Sequence, residues 1–121
     1  MAMQESGEMY LESILVLSEG KKAVRSIDVA EYLGVSKPAV SRAVSRLKNE
    51  GYILIDGDGA LALTEKGADI SGKIYERHRV LTSFLMSIGV KEETASKDAC
   101  KMEHDISDET FEAIKRKITN R

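Results

Sequence analysis

One short run in the last quarter of the chain, Cys100-Lys-Met-Glu103-His104, concentrates groups that can do chemistry. At spacings of i, i+3 and i+4 on a helix, a thiol, a carboxylate and an imidazole share one face, with Cβ atoms about 5–6 Å apart. Three such donors can converge on one divalent metal, the thiolate supplying softness and the carboxylate charge. Met9 and Glu12, at i and i+3 on an earlier helix, also share a face, and His78 sits midway along a long periodic run. Each residue alone has a plainer role. A single helical Cys is commonly a small buried hydrophobe, Met9 core filler, and Glu12 or Glu103 a solvated charge. The Cys-x-x-Glu-His triplet is harder to assign to packing. Cys and His also form nucleophile–base pairs. At i and i+4 on one helix, however, both side chains point the same way, and no oxyanion-hole signature lies nearby. The chain is therefore not read as an enzyme.

A second constellation suits nucleic acid. Ser36, Lys37, Pro38, Ala39, Ser41, Arg42 and Arg46 occupy one short segment, in which Val40, Val44 and Leu47 form an apolar stripe. Small hydroxyl side chains near a helix amino end let it enter a groove and donate to phosphates, and an arginine reads the O6/N7 edge of guanine bidentately. Most basic helical faces are merely solvated. Here the flanking elements agree with recognition.

Those elements follow from period and punctuation. Tyr10, Ile14 and Leu17, with Leu11 and Leu15 beside them, give a first amphipathic helix over Met9–Leu17. Glu19-Gly20-Lys21-Lys22 stops it, with Gly20 expected as a left-handed cap. Ser26 or Asp28 starts a short second helix, Ile27–Leu33, whose inward face is Val29, Ala30 and Leu33. Gly34-Val35-Ser36 is a tight turn into a third helix, Lys37–Glu50, with Ser36 as N-cap and Pro38 in its first turn. Tyr52–Ile55 and Ala60–Leu63 flank the turn signal Asp56-Gly57-Asp58-Gly59 and read as a hairpin. Beyond Thr64, the positions Ile70, Ile74, Arg77/His78, Leu81, Leu85 and Ile88 describe one long helix, broken by Gly89-Val90. Two further helices follow, over Glu92–Glu103 and Asp108–Ile118. Two helices joined by a Gly turn and followed by a β-ribbon describe a winged helix-turn-helix.

The chain has 121 residues, 31% charged and 42% hydrophobic, with a net charge of −2. That composition is globular. The net charge alone speaks against a nucleic-acid binder, but it hides a segregation: residues 1–20 carry −4, residues 21–50 carry +4, and residues 51–121 carry −2. A basic segment in an acidic chain is the footprint of a phosphate-binding surface. The apolar runs reach four residues, too short for a membrane span. The amino terminus has no secretory pattern, and one cysteine forbids an internal disulfide. A cytoplasmic protein is expected.

Taken in order, these motifs resemble the metal-dependent repressors typified by the diphtheria toxin repressor and the manganese transport regulator. The resemblance runs through Glu8-Met-Tyr-Leu11, Ile27-Asp-Val-Ala-Glu-Tyr-Leu33, Ser36-Lys-Pro-Ala-Val-Ser41, Leu63-Thr-Glu-Lys-Gly67, Arg77-His-Arg79, Cys100-Lys-Met-Glu-His104 and Ser107-Asp-Glu109. It implies a mainly α fold. A winged helix-turn-helix DNA-binding domain occupies 1–64, and a helical dimerisation and metal-binding domain occupies 65–121. Many members add an SH3-like domain, and the chain, ending at Arg121, is expected to be the two-domain form.

Carried over by position, the iron branch's activating ligands fall on Met9, Cys100, Glu103 and His104. In the manganese branch the Met position is Asp and the Cys position is Glu, whereas Glu12 and His78 match ligands of its second metal. The iron branch's other site also uses the His78 position, but its remaining ligands fall on Thr82 and Ser96, which are poor ligands. The resemblance therefore implies an iron-type first site beside a second site retaining Glu12 and His78. Fe(II) is favoured, Mn(II) is the alternative, and Zn(II), Co(II) or Ni(II) would substitute in vitro.

The family's DNA-reading positions fall on Ser36, Pro38, Ala39 and Arg42, with Arg42 standing where iron-branch members carry Gln. The implied partners are double-stranded palindromic operator DNA, a second copy of the chain and a divalent metal. In such a dimer, metal binding sets recognition-helix spacing toward about 34 Å, one turn of DNA. The competing reading is a MarR-like winged-helix regulator that senses a small molecule or oxidation through Cys100. A module that does not bind DNA at all is a third.

Overall fold

A computed structural model describes residues 5–20 and 23–119. Lys21 and Lys22, expected to end the first helix, lie outside them. In chain order the elements are α1 (Glu5–Gly20), α2 (Ser26–Leu33), α3 (Lys37–Asn49), β1 (Ile53–Ile55), β2 (Leu61–Leu63), α4 (Glu65–Ser87), α5 (Glu92–Met102) and α6 (Asp108–Thr119). The fold is mainly α, as expected: a winged helix-turn-helix followed by a helical domain. Contacts divide the chain into two compact units, Met1–Gly72 and Lys73–Arg121.

In the first unit, α1 packs on α2, α3 and β2, and α3 packs on β1. The expected stripes supply the core: Leu11 and Ile14 from α1, Val29 and Ala30 from α2, and Val40, Val44 and Leu47 from α3, with Ile53 and Leu61 from the hairpin. Two helix starts are capped differently from each other. Ser36 Oγ accepts the Ala39 amide at 3.2 Å, and Pro38 lies in the first turn of α3, as the sequence signals. At α2 the cap residue is Arg25 rather than Ser26, and the Asp28 carboxylate accepts the Arg25 amide at 2.9 Å. Gly34 takes the left-handed conformation (φ 69°) that turns α2 toward α3. Gly20 does not cap α1 in that way. It is the last residue of the helix and does not have a positive φ.

The hairpin pairs Ile53 with Leu63, Leu54 with Ala62 and Ile55 with Leu61. Its turn is held by Asp56, whose carboxylate accepts the amides of Asp58 and Ala60 at 2.8 and 2.9 Å. Those bonds, with the Ala60 amide first, hold the Asp56 carboxyl below its ordinary range. Val24, in the link between α1 and α2, adds an isolated bridge to Leu61, and the Arg25 guanidinium donates to the Asp58 carbonyl. The wing is thus tied to the α1–α2 link, which the hairpin pattern did not reveal.

Thr64 begins α4 with a reciprocal arrangement. Its hydroxyl accepts the Gly67 amide at 3.1 Å and donates to the Gly51 carbonyl at 2.7 Å. Gly67 is required by space, because a Cβ there would lie 2.0 Å from the Tyr52 carbonyl oxygen.

The second unit comprises the rest of α4 with α5 and α6, and buries Ile74, Leu81, Ala95, Ala99 and Phe111. α4 stops at Ser87, where Gly89 adopts φ 104°. Ile88, expected on the inward stripe of that helix, falls beyond its end and is 64% exposed. The turn amides of Ile88, Gly89 and Val90 bond back to the Leu85 and Met86 carbonyls, which carries the Ile88 side chain off the stripe. α6 carries Asp108 and Glu109 in its first turn and Arg116 and Lys117 in its last, each complementing the helix dipole. Among the described residues, no helix is long and apolar enough to cross a membrane.

Candidate metal centre and nucleic-acid interface

The metal-type donors sort by unit. In the second, α5 ends at Met102 and Glu103 is its cap residue, so the Cys-x-x-Glu-His run straddles a helix end. The consequence is a split in exposure. Cys100, on the last turn, is exposed, whereas the side chains of Glu103 and His104 are 0% and 1% exposed. Helical geometry extends through Glu103, whose amide donates to the Ala99 carbonyl, and His104 lies beyond it.

Glu103 is the focus of the centre. Its Oε2 lies 3.0 Å from His78 Nδ1, and its Oε1 faces His104 Nε2 at 3.4 Å. The second nitrogen of His78, Nε2, lies 3.3 Å from Ser96 Oγ, and the Thr82 hydroxyl donates to the His78 carbonyl at 2.7 Å. Glu103 Oε1 is buried yet receives no hydrogen bond among the described residues. A buried carboxylate is costly unless a cation or donors satisfy it. One oxygen still short of a donor, beside two imidazoles, is a donor set that suits a divalent metal ion.

In the first unit, Met9 and Glu12 lie half-buried on α1, one turn apart. The Ser13 hydroxyl, itself buried, donates to the Met9 carbonyl at 2.7 Å.

Sequence reasoning placed Arg77 on the inward stripe of α4 without giving it a role. Its guanidinium donates from Nη1 to the carbonyls of Glu103 and Ile106, both at 3.0 Å, and pairs through Nη2 with the Asp108 carboxylate. A charged residue at a core-facing position was the available signal, since such a charge must find partners.

The nucleic-acid candidates cluster on α3 and its approach. Ser36, Lys37, Pro38, Ser41, Arg42 and Arg46 are exposed, and Ala39 is half-buried. The buried stripe of Val40, Val44 and Leu47 orients them outward on the opposite side of the helix. Arg46 and Lys48 lie in the last turn, and Lys66 donates to the Glu50 carbonyl at 3.2 Å, tying the end of α3 to α4.

Known proteins resemble nearly the whole chain. Residues 2–61 match the family described as iron dependent repressor, N-terminal DNA binding domain. Residues 64–120 match iron dependent repressor, metal binding and dimerisation domain. An uncharacterised HTH-type transcriptional regulator of Methanocaldococcus jannaschii is 36% identical over 115 residues, covering 93% of this chain and 92% of that one. The transcriptional regulator MntR of Escherichia coli O6:H1 is 36% identical over 106 residues, covering 88% of this chain and 68% of its own. Among solved structures, the manganese regulator SloR superposes with a TM-score of 0.82 at 32% identity, over 99% of this chain. This chain spans about 55% of the length of that structure.

Proposed function

Because the chain belongs to the iron-dependent repressor family, we propose that it is a metal-activated transcriptional repressor that binds palindromic operator DNA as a homodimer. Its role is control of metal-ion homeostasis in the cytoplasm. The observation that carries this reading is the buried Glu103 carboxylate beside His78 and His104, with one oxygen lacking a hydrogen-bond donor among the described residues. We assign the activating ion to Met9, Cys100, Glu103 and His104, with Glu12 and His78 as ligands of a second site. When bound, the ion supplies positive charge at a buried carboxylate and a cross-link between segments far apart in sequence.

Fe(II) is favoured by the soft Met and Cys donors. Mn(II) is the alternative, and the similarity to SloR, a manganese regulator, speaks for it. Zn(II), Co(II) and Ni(II) are expected to substitute in vitro. Functionally we divide the chain at the start of α4, with 1–64 reading DNA and 65–121 binding metal and dimerising. Ser36, Lys37, Pro38, Ala39, Ser41, Arg42 and Arg46 form the DNA-reading surface. Met86 and Ile88, both exposed, offer apolar area to a second copy.

Anaerobic binding to the chain's own promoter DNA, with Fe(II), Mn(II), Zn(II) or chelator, tests the proposal. DNA affinity is expected to rise by about 5–150-fold with the cognate metal, and equal binding with chelator overturns it. Cys100→Ala is expected to abolish activation by Fe(II) while leaving the dimer folded by circular dichroism and sedimentation. A normal metal response in that variant removes Cys100 from the ligand set. A wild-type chain that responds to oxidant and not to metal supports the MarR-like alternative.

A further inference from the structure

Glu103 and His104 sit in the five-residue connection between α5 and α6, which belongs to neither helix. Short connections of this kind hold a metal poorly unless something fixes their backbone, because a site displaced by about 1 Å loses its ligand geometry. The connection's own hydrogen bonds lie at its two ends. At the start the amide of Glu103 donates to the Ala99 carbonyl and those of Asp105 and Ile106 to the Met102 carbonyl. At the end Ser107 caps α6, its carbonyl accepting the Phe111 amide and its hydroxyl oxygen the Thr110 amide. The carbonyls of Glu103 and Ile106 point the other way and are both taken by Nη1 of Arg77, 26 and 29 residues earlier in the chain.

We propose that Arg77 is the positioning residue of the metal centre, holding the Glu103–Asp108 segment so that Glu103 and His104 are presented as a preformed pair. This rests on the metal reading above. Four contacts support it. One guanidinium nitrogen bonds two carbonyls, and the other pairs with Asp108 at the first residue of α6. The guanidinium also lies over the Phe111 ring, 5.2 Å from its centroid. The Arg77 side chain is only 14% exposed, although Asp108 is 95% exposed. The fork is therefore held mainly by its main-chain acceptors, not by a solvated ion pair.

The neighbouring residue completes the grip. His78 reaches the Glu103 carboxylate at 3.0 Å, so two successive residues of α4 hold Glu103, one by its main chain and one by its side chain. A lysine at 77 would offer a compact point charge instead of a planar fork, and would not span both carbonyls and the carboxylate together. Residues one layer out from a metal commonly change its affinity by about 10–100-fold.

The experiment uses the full chain with Arg77→Gln, Arg77→Lys and Asp108→Asn, read in two ways. Hydrogen exchange of amides 103–108 is measured without metal, with α1–α3 amides as the internal reference. Dissociation constants for Mn(II) and Fe(II) are measured by anaerobic titration. Arg77→Gln is expected to speed exchange in 103–108 selectively and to weaken metal binding by about 10–100-fold. Arg77→Lys falls between it and wild type, and Asp108→Asn costs no more than about fivefold.

Wild-type metal affinity in a folded Arg77→Gln chain overturns the proposal. So does an exchange increase spread evenly over both units. If Arg77→Gln does not fold, the Lys variant decides, because unchanged exchange at 103–108 together with unchanged affinity is equally fatal. A wild-type chain that binds neither metal defeats the metal reading, while exchange at 103–108 still reports whether Arg77 holds the segment.

Discussion

Glu103 is where the cost and the use of a buried charge meet. A carboxylate that is 0% exposed, with one oxygen lacking a hydrogen-bond donor among the described residues, lowers the stability of the chain unless a cation approaches it. Glu103→Gln keeps the volume and the His78 contact but removes the charge. In chelator, thermal unfolding of this variant is expected to match wild type or exceed it by about 1 kcal/mol. The stabilisation that saturating metal gives wild type, a logarithmic function of concentration over dissociation constant, is expected to vanish. A loss of more than about 1 kcal/mol in chelator would mark Glu103 as a structural residue instead. Cys100 presents the opposite case, since it is exposed. The sequence showed both residues as ligand types. It did not separate them by burial, because that depends on what packs against each side chain, as His78 of α4 does against Glu103.

Among the elements, the start of α4 has the narrowest tolerance. Thr64 and Gly67 join it to the end of α3 and to the hairpin, through bonds to Gly51 and an approach that leaves no room for a Cβ against Tyr52. Gly67→Ala must displace backbone, and a loss of about 1–3 kcal/mol is expected by chemical denaturation. An unchanged midpoint would mean that the Tyr52 carbonyl yields freely. The helices themselves were legible with their apolar stripes, because 3.6-residue periodicity and the Ser36–Pro38 start signal are local properties. Helix ends were less so. Gly20 lies within α1 instead of capping it, and Ile88 lies beyond α4 because the amides of Ile88, Gly89 and Val90 bond back to Leu85 and Met86. The wing was visible as a hairpin, but its ties to Val24 and Arg25 were not, as they join residues more than thirty positions apart.

At the scale of the molecule, charge is the organising variable. The net of −2 conceals +4 over residues 21–50, and the exposed bases of α3 fall within that segment. Operator affinity is expected to fall steeply with salt, as counterion release requires. Arg46→Ala should reduce the slope by about one unit and weaken all sequences alike. Arg42→Ala should instead cost about 1–3 kcal/mol and relax specificity at one position. Parallel binding isotherms at several salt concentrations distinguish the two; a salt-independent affinity would remove α3 as the phosphate-facing element.

Local rules, then, determined the helices, the hairpin, the basic segment and the residue types able to bind metal. Each follows from neighbours a few positions apart. Tertiary structure alone decided which of those types are buried together. His78 meets Glu103 from 25 residues away, and Arg77 meets the same residue's carbonyl from 26. Such meetings arise from packing α4 beside the segment that links α5 to α6. No spacing along the chain encodes them, because the energy of a buried charge is set by whatever surrounds it in space.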